Sequence, residues 1–186
     1  MVSEGTTRAQ SMVGYSTGRP ELDFYRTPED AVIALLKVEE FDGIVWEPAC
    51  GDGAISDVLK DYGVSVVSSD IHDYGYGPVV DFLTAHEMVD HVVTNPPFKL
   101  AREFIEHALT HTNGKVAMLL KLDFLGSKKR KELFNRTPLK KVWVFSWRIK
   151  MARNGNDTEY KNGSMITFAW FVWEHGYTGQ PEIGWL

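Results

Sequence analysis

The chain has 186 residues, 44% of them hydrophobic, with a net charge of −5 and a single cysteine. That size and apolar content suit one domain with a sizeable core and argue against two independent ones. No apolar run reaches the roughly 18 residues that span a bilayer, the start Met1-Val2-Ser3-Glu4-Gly5 is no signal sequence, and Cys50 alone allows neither an intrachain disulfide nor a cysteine-rich zinc site. A soluble, cytoplasmic protein without membrane or metal partners is expected.

Residues 1–22 are polar and rich in Gly, Ser and Thr, which predicts a flexible arm ahead of a single domain over 23–186. At Thr27-Pro28-Glu29-Asp30 a helix begins, with Thr27 as N-cap and Pro28 in the first helical position, and it runs to about Glu40. Ile44–Glu47 reads as a strand. The turn Pro48-Ala49-Cys50-Gly51-Asp52-Gly53 follows and leads into a helix from Ala54 to about Tyr62. Two glycines one residue apart let the backbone bend sharply and approach a ligand. A dinucleotide fingerprint would need a third glycine where Ser56 stands. Glu47 and Asp52 flank the turn, and negative charge there attracts a cationic ligand and repels phosphate.

Val64–Ser69 is the next predicted strand, ending in Asp70. An acid at that place, about twenty residues past a glycine turn, is positioned to accept from ribose hydroxyls, although a cap or a loop acid reads the same way. Val79–Leu83 is a short strand or turn. His91–Thr94 is a buried strand that stops at Asn95-Pro96-Pro97-Phe98, because two prolines donate no backbone hydrogen bonds and hold their predecessors extended. In such a stiff turn Asn95 can accept hydrogen bonds, Pro96 can offer its carbonyl and Phe98 a flat apolar face. An ordinary Asn-Pro turn with a core Phe has the same signature.

Leu100, Ala101, Phe104, Ile105, Ala108 and Leu109 form a helical stripe. His107 and His111, one turn apart, lack a third metal ligand. Strands follow at 115–122, 141–146 and 165–173, with a basic helix from Gly126 to about Phe134, a long polar loop at 148–163 and a tail that packs back on the sheet. Twelve Lys/Arg and two acids lie between Lys115 and Arg153, a local net of +10, whereas the remainder carries eight bases and twenty-three acids, a net of −15. This asymmetry predicts a nucleic-acid face on an acidic body, with Lys128, Lys129, Arg130, Lys131, Arg148, Lys150 and Arg153 as phosphate contacts. The alternation of strands and helices predicts a three-layer α/β sandwich around a mostly parallel sheet.

Glu47-Pro48-Ala49-Cys50-Gly51-Asp52-Gly53 and Asn95-Pro96-Pro97-Phe98, about forty residues apart with Asp70 between them, resemble the cofactor and catalytic motifs of S-adenosylmethionine-dependent DNA adenine (N6) methyltransferases. The small stand-alone, phage-type members with an NPPF motif are the nearest in pattern, and the likeness spans residues 23 to about 175. It implies a Rossmann-like class I fold with a seven-stranded sheet whose last strand is antiparallel. It also implies that Tyr25, Thr27 and Pro28 help hold the methionine moiety, framed by Glu47, Pro48, Ala49, Gly51, Asp52 and Gly53. Asp70 takes the ribose hydroxyls, Ile71 lies against the cofactor's adenine, Asp81 and Phe82 contact its amino group and ring, and Asn95 faces cofactor and target alike.

The reaction implied is methyl transfer to the 6-amino nitrogen of adenine. Asn95 and the Pro96 carbonyl accept the amino hydrogens, Pro97 stiffens the turn, and Phe98 stacks on an extruded base. The separate target-recognition region usual in the family has no counterpart of sufficient length here. An RNA adenine methyltransferase, a protein glutamine methyltransferase and a non-catalytic nucleic-acid-binding subunit are the alternatives, and monomer and homodimer stay open.

Overall fold

The computed structural model describes residues 24–153 and 166–186; the arm over 1–22 and the loop positions Asn154, Asn156, Lys161 and Gly163 lie outside the described residues. The core is a seven-stranded sheet. Its first half comprises β2 (Ile44–Glu47), β3 (Ser65–Ser68), β4 (His91–Thr94) and β5 (Lys115–Lys121), and the second half β6 (Leu139–Val144), β8 (Phe168–Glu174) and β9 (Glu182–Trp185), in the order β3-β2-β4-β5-β8-β6-β9. β2, β3, β4 and β5 are mutually parallel, β8 is antiparallel to both β5 and β6, and β9 runs parallel to β6. A short ribbon of β1 (Tyr25–Arg26) and β7 (Ala152–Arg153) stands apart from this sheet.

Two layers of helices cover the sheet. On one face α1 (Glu29–Leu36) and α2 (Ala54–Asp61) pack through Ala31, Val32, Leu35, Ile55 and Leu59 on Val45, Val93, Leu119 and Trp170. On the other, α3 (Ala101–Thr110) and α4 (Lys128–Arg136) bury Phe104, Ile105 and Leu133 against Val92, Met118, Phe171 and Trp173. Adjacent residues of β5 and β8 feed opposite clusters, as the period of two along a strand requires. Both faces are covered, so these strands carry near-continuous apolar runs.

Several boundaries differ from expectation for identifiable reasons. Pro28 with φ −70° and ψ 145° is the residue before α1, and Thr27 makes no cap, because its hydroxyl is engaged by Asn95. α1 stops at Leu36, beyond which Glu39 pairs with Lys115 at 2.7 Å. The Val79–Leu83 run yields only an isolated bridge from Val79 to Asp70 and a 3-10 turn at Phe82–Thr84. The strand expected last in the chain, β8, is antiparallel, and the tail then adds β9 at the sheet's far edge, bringing the count to seven. Among the described residues no helix is long and apolar enough to cross a membrane.

Candidate active site

The parallel strands β2, β3 and β4 end on the same side of the sheet, and their following turns surround a cavity of about 370 Å³. That volume lies within the range of small-molecule sites. After β2, Gly51 with φ 52° and Gly53 with φ 87° adopt the left-handed region that side chains avoid. Space is short there as well: a Cβ on Gly51 would fall 2.1 Å from the Phe24 ring, and one on Gly53 2.2 Å from the Tyr76 ring. Neither glycine lines the cavity; both bend the turn so that Glu47, Pro48, Ala49, Cys50 and Asp52 do.

Asp70, 8% exposed, accepts from Gly51 N at 2.9 Å through Oδ2 and from His72 N at 3.0 Å through Oδ1. Its carboxylate ties the end of β3 to the glycine turn and faces the cavity with Ile71. Glu47 is 1% exposed, and its Oε2 accepts from the Ser56 hydroxyl, which also lies 2.6 Å from that of Ser68. Burial pushes the Glu47 carboxyl well above the usual range, and the charges of Asp70 and Asp52 add to that. Ser56, which stands where a dinucleotide site would place glycine, is thereby a partner of the buried acid. Burial also pushes the Cys50 thiol up to about 12, so it stays protonated and unreactive.

The acids around the turn carry less free charge than their number suggests. Asp52 accepts from Arg26 Nε at 2.8 Å, an exposed pair that neutralises it across the rim, while the Glu47 environment favours its neutral form. Neither acid therefore stands as a free carboxylate: Asp52 is paired, and burial disfavours the charged form of Glu47.

Past β4, Pro96 is buried, and Pro97 opens a 3-10 turn at Phe98–Leu100 that leads into α3. Asn95 is held by two bonds from its Nδ2, to the Tyr25 carbonyl at 2.9 Å and to Thr27 Oγ1 at 3.1 Å. Its Oδ1 is buried and has no hydrogen-bond partner. Such an orphan acceptor is costly in a folded protein unless a ligand satisfies it. Asn95 and Pro97 line the cavity with Tyr25, Thr27, Asp81 and Phe82; Pro28, Pro96 and Phe98 do not.

Phe98 packs instead against Tyr25 and Phe168, with ring centroids 5.7 and 5.9 Å away, and Lys121 Nζ sits 4.9 Å from its centroid. Phe82 lines the cavity while meeting Trp46 edge-on at 5.1 Å. Phe24, His72, Tyr74, Leu100 and Phe104 also line it, and none of them carries a motif that marks it in the sequence.

The expected phosphate contacts divide. Lys128, Lys129 and Lys131 are exposed on the first turn of α4, whereas Arg130 donates to the Asp123 carbonyl at 2.9 Å and lies 4.4 Å from the Phe124 centroid. Arg148 donates to Thr167, Lys150 is exposed, and the backbone of Arg153 pairs with Tyr25 in the β1–β7 ribbon. Lys115, Arg136, Lys140 and Lys141 form ion pairs with Glu39, Glu106, Glu174 and Glu182, so these four bases of the +10 segment are paired internally. His107 and His111 stack with centroids 4.1 Å apart; His107 Nε2 donates to the Ala85 carbonyl and His111 Nδ1 to that of His107.

No protein-family model matches the chain, and no curated protein sequence does. Solved structures match it by shape. An RNA-methyltransferase candidate of Pyrococcus horikoshii, PH1948, superposes with a TM-score of 0.66 at 18% identity, covering 87% of this chain and 91% of that one. The modification subunit of a candidate type I restriction enzyme from Vibrio vulnificus YJ016 gives 0.59 at 14%, covering 86% and 46%. Thermoplasma acidophilum protein 1320 gives 0.58 at 20%, covering 80% and 85%. Sheet order and superpositions agree that the chain has a Rossmann-like class I methyltransferase fold.

Proposed function

We propose that the protein transfers a methyl group from S-adenosylmethionine to the 6-amino nitrogen of adenine in DNA. The observation that carries this reading is the Asn95 side chain. Its amide nitrogen is fixed by Tyr25 and Thr27, and its buried oxygen is left without a partner beside the cavity. An acceptor held in that way suits the N–H of an amino group.

The residues present fit the proposed cofactor. Asp70 at the end of β3 faces the cavity and would take the ribose hydroxyls, the glycine turn lets the backbone come close, and Phe82, Ile71 and Leu83 supply apolar walls for a ring. When bound, the cofactor supplies an electrophilic methyl group. The chain's own work is positioning. Asn95 Oδ1 accepts one amino hydrogen of adenine and, by the motif resemblance, the carbonyl of Pro96 takes the other although Pro96 itself is buried outside the cavity wall; this draws the nitrogen lone pair out of conjugation and aims it into the cavity. Lys128, Lys129 and Lys131 hold phosphates.

Purified protein incubated with methyl-labelled cofactor and adenine-containing DNA is expected to yield labelled 6-methyladenine; its absence from DNA and RNA alike would sink the reading. RNA adenine is the second reading, supported by the near full-length match to the RNA-methyltransferase candidate, and competition between the two polymers separates them.

A further inference from the structure

The adenine reading leaves open which side chain stacks on the extruded base. Phe98 fills that role by its place in the motif, yet three groups already crowd its ring: Tyr25, Phe168 and the Lys121 ammonium. Phe98 and Tyr25 are both half-buried against the core cluster that holds Phe168 and Trp170, but Phe98 is not part of the cavity wall. Tyr25 is. Its ring leans on Phe98 at 31°, it lines the cavity beside Asn95, and its carbonyl is the acceptor that fixes the Asn95 amide. Its backbone is further held by pairing with Arg153 across the β1–β7 ribbon.

We infer that Tyr25 supplies the stacking face for the target adenine, with Phe98 behind it as a rigid backing; the inference rests on the adenine reading above. One residue then does two things at once: its carbonyl sets the rotation of the Asn95 amide, and its ring sets the plane of the base whose amino group that amide must meet. Lys121 on Phe98 supports the backing ring by a cation–π contact, and pairing with β7 holds the platform's backbone. This assigns Tyr25 to the base, where the motif resemblance alone assigns it to the methionine moiety.

The test starts from the wild-type protein and a DNA duplex whose methylated adenine has been mapped by sequencing for 6-methyladenine. The same duplex is then made with 5-iodouracil at that position, a base that photo-cross-links to an aromatic ring stacked on it, and the cross-linked peptide is identified. A cross-link at Tyr25 is the expected result. One at Phe98, or at neither ring while the unsubstituted duplex is methylated, overturns the inference and leaves the adenine reading standing. If no 6-methyladenine forms in any DNA, both fall together. In parallel, Tyr25→Leu keeps the carbonyl but loses the ring, and kcat/KM for DNA should fall roughly 5- to 100-fold with cofactor affinity within twofold. Tyr25→Phe should restore most of that loss. An equal fall in cofactor affinity would place Tyr25 in the cofactor site and overturn the inference.

Discussion

Asn95 and Tyr25, 70 positions apart in the chain, are joined by a 2.9 Å hydrogen bond from the Asn95 amide to the Tyr25 carbonyl. The bond leaves the proline-stiffened corner after β4 with the donor end of the Asn95 amide satisfied and its acceptor end buried without a partner.

Removing that acceptor should remove turnover. Asn95→Ala is expected to lower kcat by at least about 10²-fold, the range seen when one transition-state hydrogen-bonding group is lost, with cofactor affinity within a few-fold. Single-turnover assays with equilibrium titration of the cofactor check this; parallel loss of both would point to misfolding. Asn95→Asp should also be inactive, because a carboxylate oxygen would then face the Tyr25 carbonyl.

Asp70 serves the fold as well as the site. In Asp70→Asn one carboxylate oxygen becomes an NH₂ group facing the N–H of Gly51 or His72, at a cost of about 1–3 kcal/mol in stability. Urea unfolding measures that loss, and calorimetry should show cofactor affinity falling by more than tenfold.

Glu47 makes stability depend on pH in a stated direction. Its folded carboxyl is raised above the unfolded value by burial, so the folded state binds the extra proton. Its contribution is therefore fully present below the ordinary carboxylate pKa and lost as pH rises toward the raised value. In Glu47→Gln that decline should disappear, which unfolding midpoints measured from pH 4.5 upward would reveal. An unchanged slope would refute the assignment.

The Arg26–Asp52 pair is exposed, so Arg26→Gln should change stability by less than about 1 kcal/mol. Freeing Asp52 should nevertheless make binding of a cationic ligand tighter at low salt than at high salt, measurable by titration at two ionic strengths.

The basic segment should divide in function as it divides in structure. Lys128, Lys129 and Lys131 are exposed on α4, and replacing all three by Ala should reduce the salt slope of DNA binding by about 2–3, at roughly 0.9 per phosphate contact. Lys140→Ala and Lys141→Ala should leave the slope unchanged, because those side chains already pair with Glu174 and Glu182.

What the chain declares locally comes from covalent restriction. Pro96 and Pro97 must end β4 in a stiff turn, Gly51 and Gly53 must supply the left-handed bend, and the apolar runs at 91–94 and 115–121 must be strands buried on both faces. Those constraints act within a few residues, so fold class, the order of the turns and Asn95, Glu47 and Asp70 as cavity residues are all legible from sequence. Thr27 has the local signature of a cap but serves Asn95, a partner 68 positions away. The tertiary structure alone decided which groups are free. Charge counted along the chain cannot show that Glu39, Glu106, Glu174 and Glu182 neutralise four of the bases, that Arg26 covers Asp52, or that burial raises the Glu47 carboxyl. Nor can a motif show that Tyr25 lines the cavity while Phe98, packed against Tyr25 and Phe168, does not. Pairing and burial are set by contacts between distant segments, and those exist only once the sheet has brought its turns together.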